Sequence, residues 1–576
     1  MIMKTCLVFL SILIHGVLHL QASHVTINQD LQSILQPSSP NPTYRTAYHF
    51  QPPKNWMNDP NGPMIYKGIY HLFYQYNPDG PSFGKIVWAH STSKDLVNWT
   101  PHPPALSPSQ PSTDSGSCWS GSATIISGQT PAILYTGLNQ QQQQVQALAV
   151  PKNLSDPHLL EWIKSSHNPL MAPTSQNQIN GSSFRDPSTA WLGHDLKWRM
   201  VVGSKRNRRG LAILYKSKDF IHWTKSQHPL HSGKDSGMWE CPDFYPVKID
   251  GKDGLDTSTP VGTGIRHVLK ISLDETRHDL YSIGRYNARK DSYAPEHEIV
   301  DNGRGLRYDY GKFYASKTFY DSVKRRRILW GWINESLPIV DYVKQGWSGL
   351  QAIPRSVWLD KSGKQLVQWP IHEIEMLRTN KISMTNKVLK EGSKIKISKI
   401  TAAQADIEVS FEVMGLEKAE KFDPKWRDAE LLCNRKQSWT RGGLGPFGIM
   451  ALASMNLEEF TAVYFTIFKF GEEHGKYVVL MCSDQTKSSL NVRTDKTNYG
   501  AFLDVNPVHD QLSLRSLIDH SIVESFGGGG KVCITSRVYP SLAIKEAAHL
   551  YVFNNGASPV RISKMKAWSM KKGVIN

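Results

Sequence analysis

After its first two dozen residues this chain has no continuous apolar run of the roughly 18 to 20 residues that a bilayer-spanning helix needs, so a membrane protein of that kind is excluded. Cysteine is scarce, at 6 in 576 residues, and no pair has CxxC spacing. A disulfide-held miniprotein is therefore excluded, and no metal site is expected. Long stretches of helical periodicity are equally sparse, which rules out a helix-rich domain. The one glycine-rich candidate for a phosphate cradle, Gly527-Gly-Gly-Gly530-Lys531, is followed by Val532 rather than Ser or Thr. It reads as a hairpin loop, and no cofactor is expected. The tail from Met570 to Asn576 carries neither a retention signal nor an apolar stretch for a lipid anchor.

What is present begins with a leader. Lys4, an apolar run from Cys6 to Leu18 and the small-residue end Ala22-Ser23 have the order of a signal peptide over residues 1–22, cleaved near Ala22. Export makes four sequons meaningful, at Asn98, Asn153, Asn180 and Asn334. Five cysteines then remain, an odd number, with one disulfide expected among Cys433, Cys482 and Cys533. The formal charge of +17 favours polyanions. For a secreted protein that points to acidic polysaccharide rather than nucleic acid, with a solvated basic surface as the plain alternative. The densest basic run, Lys324 to Arg327, sits between two strand-like segments and reads as a hairpin tip.

Short apolar and aromatic runs between Gly, Pro, Asn and Asp clusters make the chain all-β. One repeat is plain: Ser93-Lys-Asp-Leu-Val-Asn-Trp-Thr100 returns as Ser217-Lys-Asp-Phe-Ile-His-Trp-Thr224. If the interval holds two units, each is roughly 62 residues, which suits a four-stranded propeller blade with long loops. Motifs that read as innermost-strand starts fall near Asp59, Trp119, Asp186, Glu240 and Asp309, giving five blades. The expected organisation is an N-terminal segment 23–44, a five-bladed β-propeller 45–370, a linker 371–382 and a β-sandwich 383–576, where strands alternate apolar and polar residues.

Three of those starts carry an acid beside or near a proline turn: Asp59, Asp186 and Glu240. A lone Asp-Pro caps a turn. Three acids in register with a blade period converge on a propeller's central channel, and two carboxylates across a glycosidic bond are what sugar hydrolysis needs.

Trp56-Met-Asn-Asp-Pro-Asn-Gly62, Phe184-Arg-Asp-Pro187 and Trp239-Glu-Cys-Pro-Asp-Phe244 resemble the signature motifs of plant acid invertases of glycoside hydrolase family 32. The resemblance implies the same propeller and sandwich, and a retaining cleavage of sucrose. It makes Asp59 the nucleophile, Glu240 the general acid and then base, and Asp186 the transition-state stabiliser. Substrate contacts would fall on Trp56, Met57, Asn58, Gln75, Phe83, Trp119, Ser120 and Arg185. Asp274 and Arg277 match the segment that positions the glucose half of sucrose. Proximity to Asp59 and partial burial near Trp239 would raise the Glu240 pKa, while Asp59 stays ionised. Pro242 resembles the cell-wall type, so location in the apoplast and a proteinaceous invertase inhibitor as partner are implied. The disulfide would join Cys433 to Cys482. Phe83 and Lys85 depart from the family's usual Trp and Asn. A fructan exohydrolase, a fructosyltransferase or a carbohydrate-binding relative without turnover are the competing readings.

Overall fold

The computed structural model describes residues 42–109, 113–126, 129–297, 299, 301, 305–471 and 475–575, and the signal peptide lies outside the described residues. Within them five sheets follow one another along residues 55–370, and two sheets of six and seven strands occupy the remainder. Each of the first five is a blade. The inner strands are Asn55–Tyr66 in blade 1, Ser117–Ile126 in blade 2, Trp239–Lys248 in blade 4 and Tyr314–Asp321 in blade 5. Blade 3 has a broken inner strand, whose pieces Phe184–Arg185 and Trp191–Leu192 both pair with Trp198–Arg206. The ring is closed by Trp347–Ser348, which pairs in parallel with Asn55 and Trp56.

The internal repeat is the turn after the third strand of blades 1 and 3. In both copies the serine hydroxyl accepts the N–H three residues on, Leu96 at 2.8 Å and Phe220 at 2.9 Å. In both the aspartate accepts the next turn, Asn98 at 2.7 Å and His222 at 2.8 Å. The residue between takes a positive φ, 63° at Leu96 and 67° at Phe220, and the tryptophan indole closes onto its carbonyl. Self-capping Ser and Asp side chains and the Trp that closes the turn explain why Ser, Asp and Trp recur at the same places in both copies.

The basic run does form the turn between Tyr314–Asp321 and Arg326–Ile333, and its charges are largely spent within the fold. Arg326 bridges Asp321 and Glu373, and Arg327 lies 4.3 Å over the Tyr245 ring. The fifth blade starts at Tyr314 rather than at Asp309. Asp309 is buried against the second domain instead, accepting Thr535 N from it at 2.8 Å and Arg355 Nη2 from its own domain at 2.9 Å.

After the 3-10 turn His372–Leu377, the first strand of the second domain runs Arg378–Leu389, beginning inside the expected linker 371–382. It pairs at a sheet edge with Val560–Met570 and exposes most of its side chains, so it lacks the apolar alternation that marks its neighbours. The two sheets face each other across a core that includes Ile407, Val409 and Phe411 on one side and Phe447, Ile449 and Phe465 on the other. A Cys433–Cys482 disulfide ties the helix Ala429–Arg435 to the strand Tyr477–Asp484, while Cys118, Cys241 and Cys533 are free and buried. The Gly527–Gly530 segment is a hairpin turn between Ile522–Gly527 and Val532–Arg537. It docks on blade 5: a Cβ on Gly530 would meet the Gln368 carbonyl at 1.9 Å, so only glycine fits.

Buried charge joins the two domains. Asp519 accepts the N–H groups of Ala47, Tyr48 and His49, and His49 spans Asp519 at 2.9 Å and Glu524 at 3.2 Å. Glu524 in turn takes Arg355 of blade 5 at 2.9 Å. Each buried ion is paired, which is the condition for tolerating charge in the interior.

Candidate active site

Four inner strands carry a register shift near their starts, between Met57 and Pro60, Trp119 and Gly121, Glu240 and Asp243, and Tyr314 and Lys317. A β-bulge re-aims side chains that would otherwise alternate across the sheet. The shifts enclose or adjoin Asn58, Asp59, Ser120, Cys241 and Ala315. In blade 3 the strand is interrupted at Asp186 itself, whose φ is 66°. Cys241 and Ala315 also take positive φ, at 45° and 52°. Such backbone clusters where a site demands it. Buried Lys270 ties two of the irregular segments together, donating to the Cys241 carbonyl at 3.0 Å and the Ser316 carbonyl at 2.6 Å.

The result is a cavity of about 600 Å³ whose lining includes Asp59, Asp186 and Glu240. Asp59 accepts the Ser120 hydroxyl at 2.6 Å and the Asn58 amide at 3.1 Å. Asn58 is held by Trp56 and Gln75, and Gln75 donates to Ser120, so the nucleophile candidate sits in a closed ring of donors. Asp186 accepts the Cys241 N–H at 3.0 Å, next to Glu240 in the chain. Glu240 is gripped by Arg185 through Nε at 2.9 Å and Nη2 at 2.6 Å, and by the Tyr314 hydroxyl. Arg277 reaches Glu240 at 3.5 Å and Asp274 at 3.0 Å.

These contacts invert the expected order of acidities in the substrate-free site. Burial, then the neighbouring Asp186 and Glu240 charges, push Asp59 up to about 7 against the Ser120 hydrogen bond. Burial raises Asp186 as well, partly offset by Arg185. Burial also acts to raise Glu240, but Arg185, Arg277 and Tyr314 outweigh it and leave its pKa below the ordinary value. The expectation of a raised Glu240 and an ionised Asp59 is therefore corrected: sequence proximity revealed the acids but not the two guanidinium groups facing Glu240.

Of the expected contact residues, Trp56, Asn58, Gln75, Phe83, Trp119, Arg185, Asp274 and Arg277 line the cavity. Ser120 acts through Asp59. Met57 does not line it; its side chain is fully buried in the core with Tyr74 and Trp330. Phe83, 46% exposed, meets Trp56 and Trp119 at the rim with ring centroids 6.3 and 6.4 Å apart.

Several lining residues escaped sequence reading. Tyr314 was hidden by placing blade 5 at Asp309. Leu337, Ile339 and Tyr342, on and beside the short helix Ile339–Gln345, carry no motif. Behind the lining, the side-chain amide oxygen of Gln144 accepts Phe184 N at 2.8 Å and Arg185 Nη1 at 3.3 Å.

Asn334 also lines the cavity, although it stands in a sequon. A glycan there would fill the space between the carboxylates and solvent. Asn153 and Asn180 are exposed, and Asn98 is half-buried with its amide bonded to Asp95. Glycopeptide mass spectrometry of active protein is expected to find Asn334 unmodified and any glycans on the other three. A fully occupied Asn334 in turning-over enzyme would contradict this arrangement.

The chain matches the model for the glycosyl hydrolases family 32 N-terminal domain over residues 49–370 and that for the family 32 C terminal over residues 373–569. It is 59% identical to an insoluble β-fructofuranosidase isoenzyme of Arabidopsis thaliana, over 97% of this chain and 96% of that one. It is equally 59% identical to a fructan 6-exohydrolase of Beta vulgaris, over 92% and 88%. Among solved structures, fructan 1-exohydrolase IIa from Cichorium intybus superposes with a TM-score of 0.90 at 51% identity, covering 92% of this chain and 98% of that one.

Proposed function

We propose, from the premise that the chain belongs to glycosyl hydrolase family 32, that it releases fructose from sucrose by double displacement, with Asp59 as nucleophile and Glu240 as acid and then base. It is a β-fructofuranosidase. The observation that carries the residue roles is the cavity in which Asp59 and Glu240 occur together with a third acid, Asp186, each with its own set of donors. An Asp59 oxygen attacks the anomeric carbon of the fructosyl unit while Glu240 protonates the departing glucosyl oxygen. Water, deprotonated by Glu240, then cleaves the fructosyl ester, and retention follows from two inversions. Asp186, held by the Cys241 N–H, is placed to accept ring hydroxyls as positive charge builds on the sugar.

The sucrose reading rests on Asp274 and Arg277, which stand at the cavity 3.0 Å from each other. Phe83 gives the rim an aromatic face without a hydrogen-bond donor. Purified protein is expected to release fructose from sucrose faster than from inulin-type or levan-type fructan, read by kcat/KM on each. Faster cleavage of a fructan would move the assignment to a fructan exohydrolase, the name carried by the Beta vulgaris relative.

The pH dependence follows from shared protons. Asp59 must be ionised and Glu240 protonated, yet in the free site Asp59 holds a proton up to about 7 and Glu240 loses its own below its ordinary value. Productive and unproductive arrangements both carry one proton between the pair, so they rise and fall together with pH. Above about 7 the pair is empty and no acid remains; below the depressed Glu240 value both are protonated and no nucleophile remains. A bell in kcat/KM is expected with its alkaline limb near 7. Sugar hydroxyls that donate to Asp59 and Asp186 favour their ionised forms and pass the proton to Glu240. Tyr314→Phe removes a donor to the Glu240 carboxylate, so its acid limb should move upward. A profile flat from pH 5 to 9 would oppose this scheme.

Cell-wall location is proposed from the names of the relatives, one of them the cell wall isozyme of Pisum sativum. The charge of +17 supports association with acidic polysaccharide, as does a shallow groove on blade 3 lined by Lys197, Lys216, Lys218 and Lys225. A proteinaceous inhibitor would approach the open mouth of the cavity.

A further inference from the structure

Glu335 lines the cavity wall, and its carboxylate is held mainly by the other domain. Its side chain is only 2% exposed. Oε1 accepts the Gly349 N–H at 2.6 Å and lies 3.4 Å from Arg537 Nη2, and Oε2 accepts the Tyr539 hydroxyl. Arg537 ends the sandwich strand Val532–Arg537, and Tyr539 follows it. The guanidinium is itself fixed, 4.6 Å over the Tyr539 ring, 5.5 Å over the Trp347 ring, and 2.8 Å from the Ser521 carbonyl.

What Glu335 holds is the segment from Trp347 to Gln351, and that segment supports the chain on either side of Met57. Trp347 and Ser348 pair with Asn55 and Trp56. Gly349, at φ 78°, packs so closely that a Cβ would meet the Met57 carbonyl at 2.0 Å. Gln351 Nε2 donates to the Asn58 carbonyl at 2.7 Å. The two peptide carbonyls immediately before Asp59 therefore rest on a segment anchored by Glu335. A second brace runs parallel to it: Lys312 joins the Glu335 carbonyl at 2.7 Å to Asp495 at 2.8 Å, and Asp495 N donates to the Ser336 carbonyl.

We propose that the sandwich domain positions the propeller's nucleophile, with Arg537 and Tyr539 acting through Glu335 and Gly349 on the backbone that carries Asp59. These three side chains are positioning residues; none is required to touch the reacting atoms. The inference rests on Asp59 being the nucleophile. It gives the second domain a part in the reaction, because Asp59 sits on an irregular strand whose aim depends on what lies behind it. A misplacement of about 1 Å in a reacting group costs up to roughly a hundredfold in rate.

The test is Tyr539→Phe in the full chain. The variant ring keeps its edge contact with Tyr44, 5.0 Å between centroids in the wild type, so packing is conserved while the hydroxyl is lost. With near-UV circular dichroism and Tm confirming a folded protein, kcat on sucrose is expected to fall about tenfold with KM within about twofold. The alkaline limb of kcat/KM should leave its wild-type position, since Asp59's acidity depends on where it lies relative to Asp186 and Glu240. A folded variant with unchanged kcat and unchanged limb overturns the proposal. If Tyr539→Phe does not fold, Glu335→Gln is read the same way, because it keeps an acceptor for Gly349 while removing the charge facing Arg537 and the oxygen that accepts the Tyr539 hydroxyl. Wild type that fails to release fructose would count against the reaction assigned above; active wild type beside an unaffected variant would count against the relay alone.

Discussion

Asp59→Asn is expected to lower turnover of sucrose by roughly four to six orders of magnitude, the scale on which removal of a covalent nucleophile is felt. The amide keeps an acceptor for Ser120 and gives up the one for Asn58, whose own amide still donates to Gln75, so the loss is chiefly chemical. Stability should move the other way. Asp59 has its pKa raised to about 7, which means that its ionised form is disfavoured by folding. For a carboxyl raised in this way the penalty is absent below the unfolded pKa, grows between that value and about 7, and is complete above it. The neutral amide never incurs it. Asp59→Asn should therefore melt at a higher temperature than wild type at pH 8, with the difference closing as pH falls towards 4. Calorimetry across that range checks the sign, and fructose release checks the rate. A variant within about a hundredfold of wild-type turnover would remove Asp59 from the nucleophile's place.

Much of this site could be read from local pattern, and the parts that could not share a physical cause. Asp59, Asp186 and Glu240 announce themselves because each bulge or break needs turn residues beside the acid, and those recur at the blade period. The Ser93 and Ser217 repeat is legible for the same reason: its hydrogen bonds close within a few residues. Asp309 imitates the pattern in Tyr-Asp-Tyr-Gly, yet its carboxylate goes to Arg355 and Thr535, partners that local sequence does not reveal. That displacement concealed Tyr314. The acidity of Glu240 was misjudged because Arg185 and Arg277 converge on it from two different segments, and charge acts through space. Met57 sits within a recognised motif, but its neighbours in the strand face the cavity and it faces the core. The strand Arg378–Leu389 was invisible for the opposite reason, since a polar edge strand has no apolar face to betray it.

Glu240→Gln should separate the two halves of the reaction. With sucrose the leaving group is a sugar alkoxide that needs a proton as the bond breaks, so the variant should lose roughly 10² to 10⁴-fold in kcat. A fructoside whose aglycone leaves as a stable phenolate needs no such help, and its first step should be nearly spared. Asp59 then becomes fructosylated while the base that would activate water is missing, so a burst of phenolate should precede a slow steady state. Azide needs no base. It should restore steady-state turnover by attacking the fructosyl ester, releasing Asp59 as carboxylate and giving fructosyl azide of the same anomeric configuration as the substrate. Asp59→Asn has no ester to intercept and should not regain this retaining reaction. The substitution also removes the carboxylate that Arg185 and Arg277 face, which leaves Asp274 as their remaining anionic partner in the site beside Asp186. KM for sucrose is therefore a second readout, because Asp274 and Arg277, 3.0 Å apart, are the residues proposed to meet the glucose half. Equal losses on sucrose and on the phenolic fructoside, with no response to azide, would mean that Glu240 serves only to hold Arg185, and the proton would have to come from elsewhere.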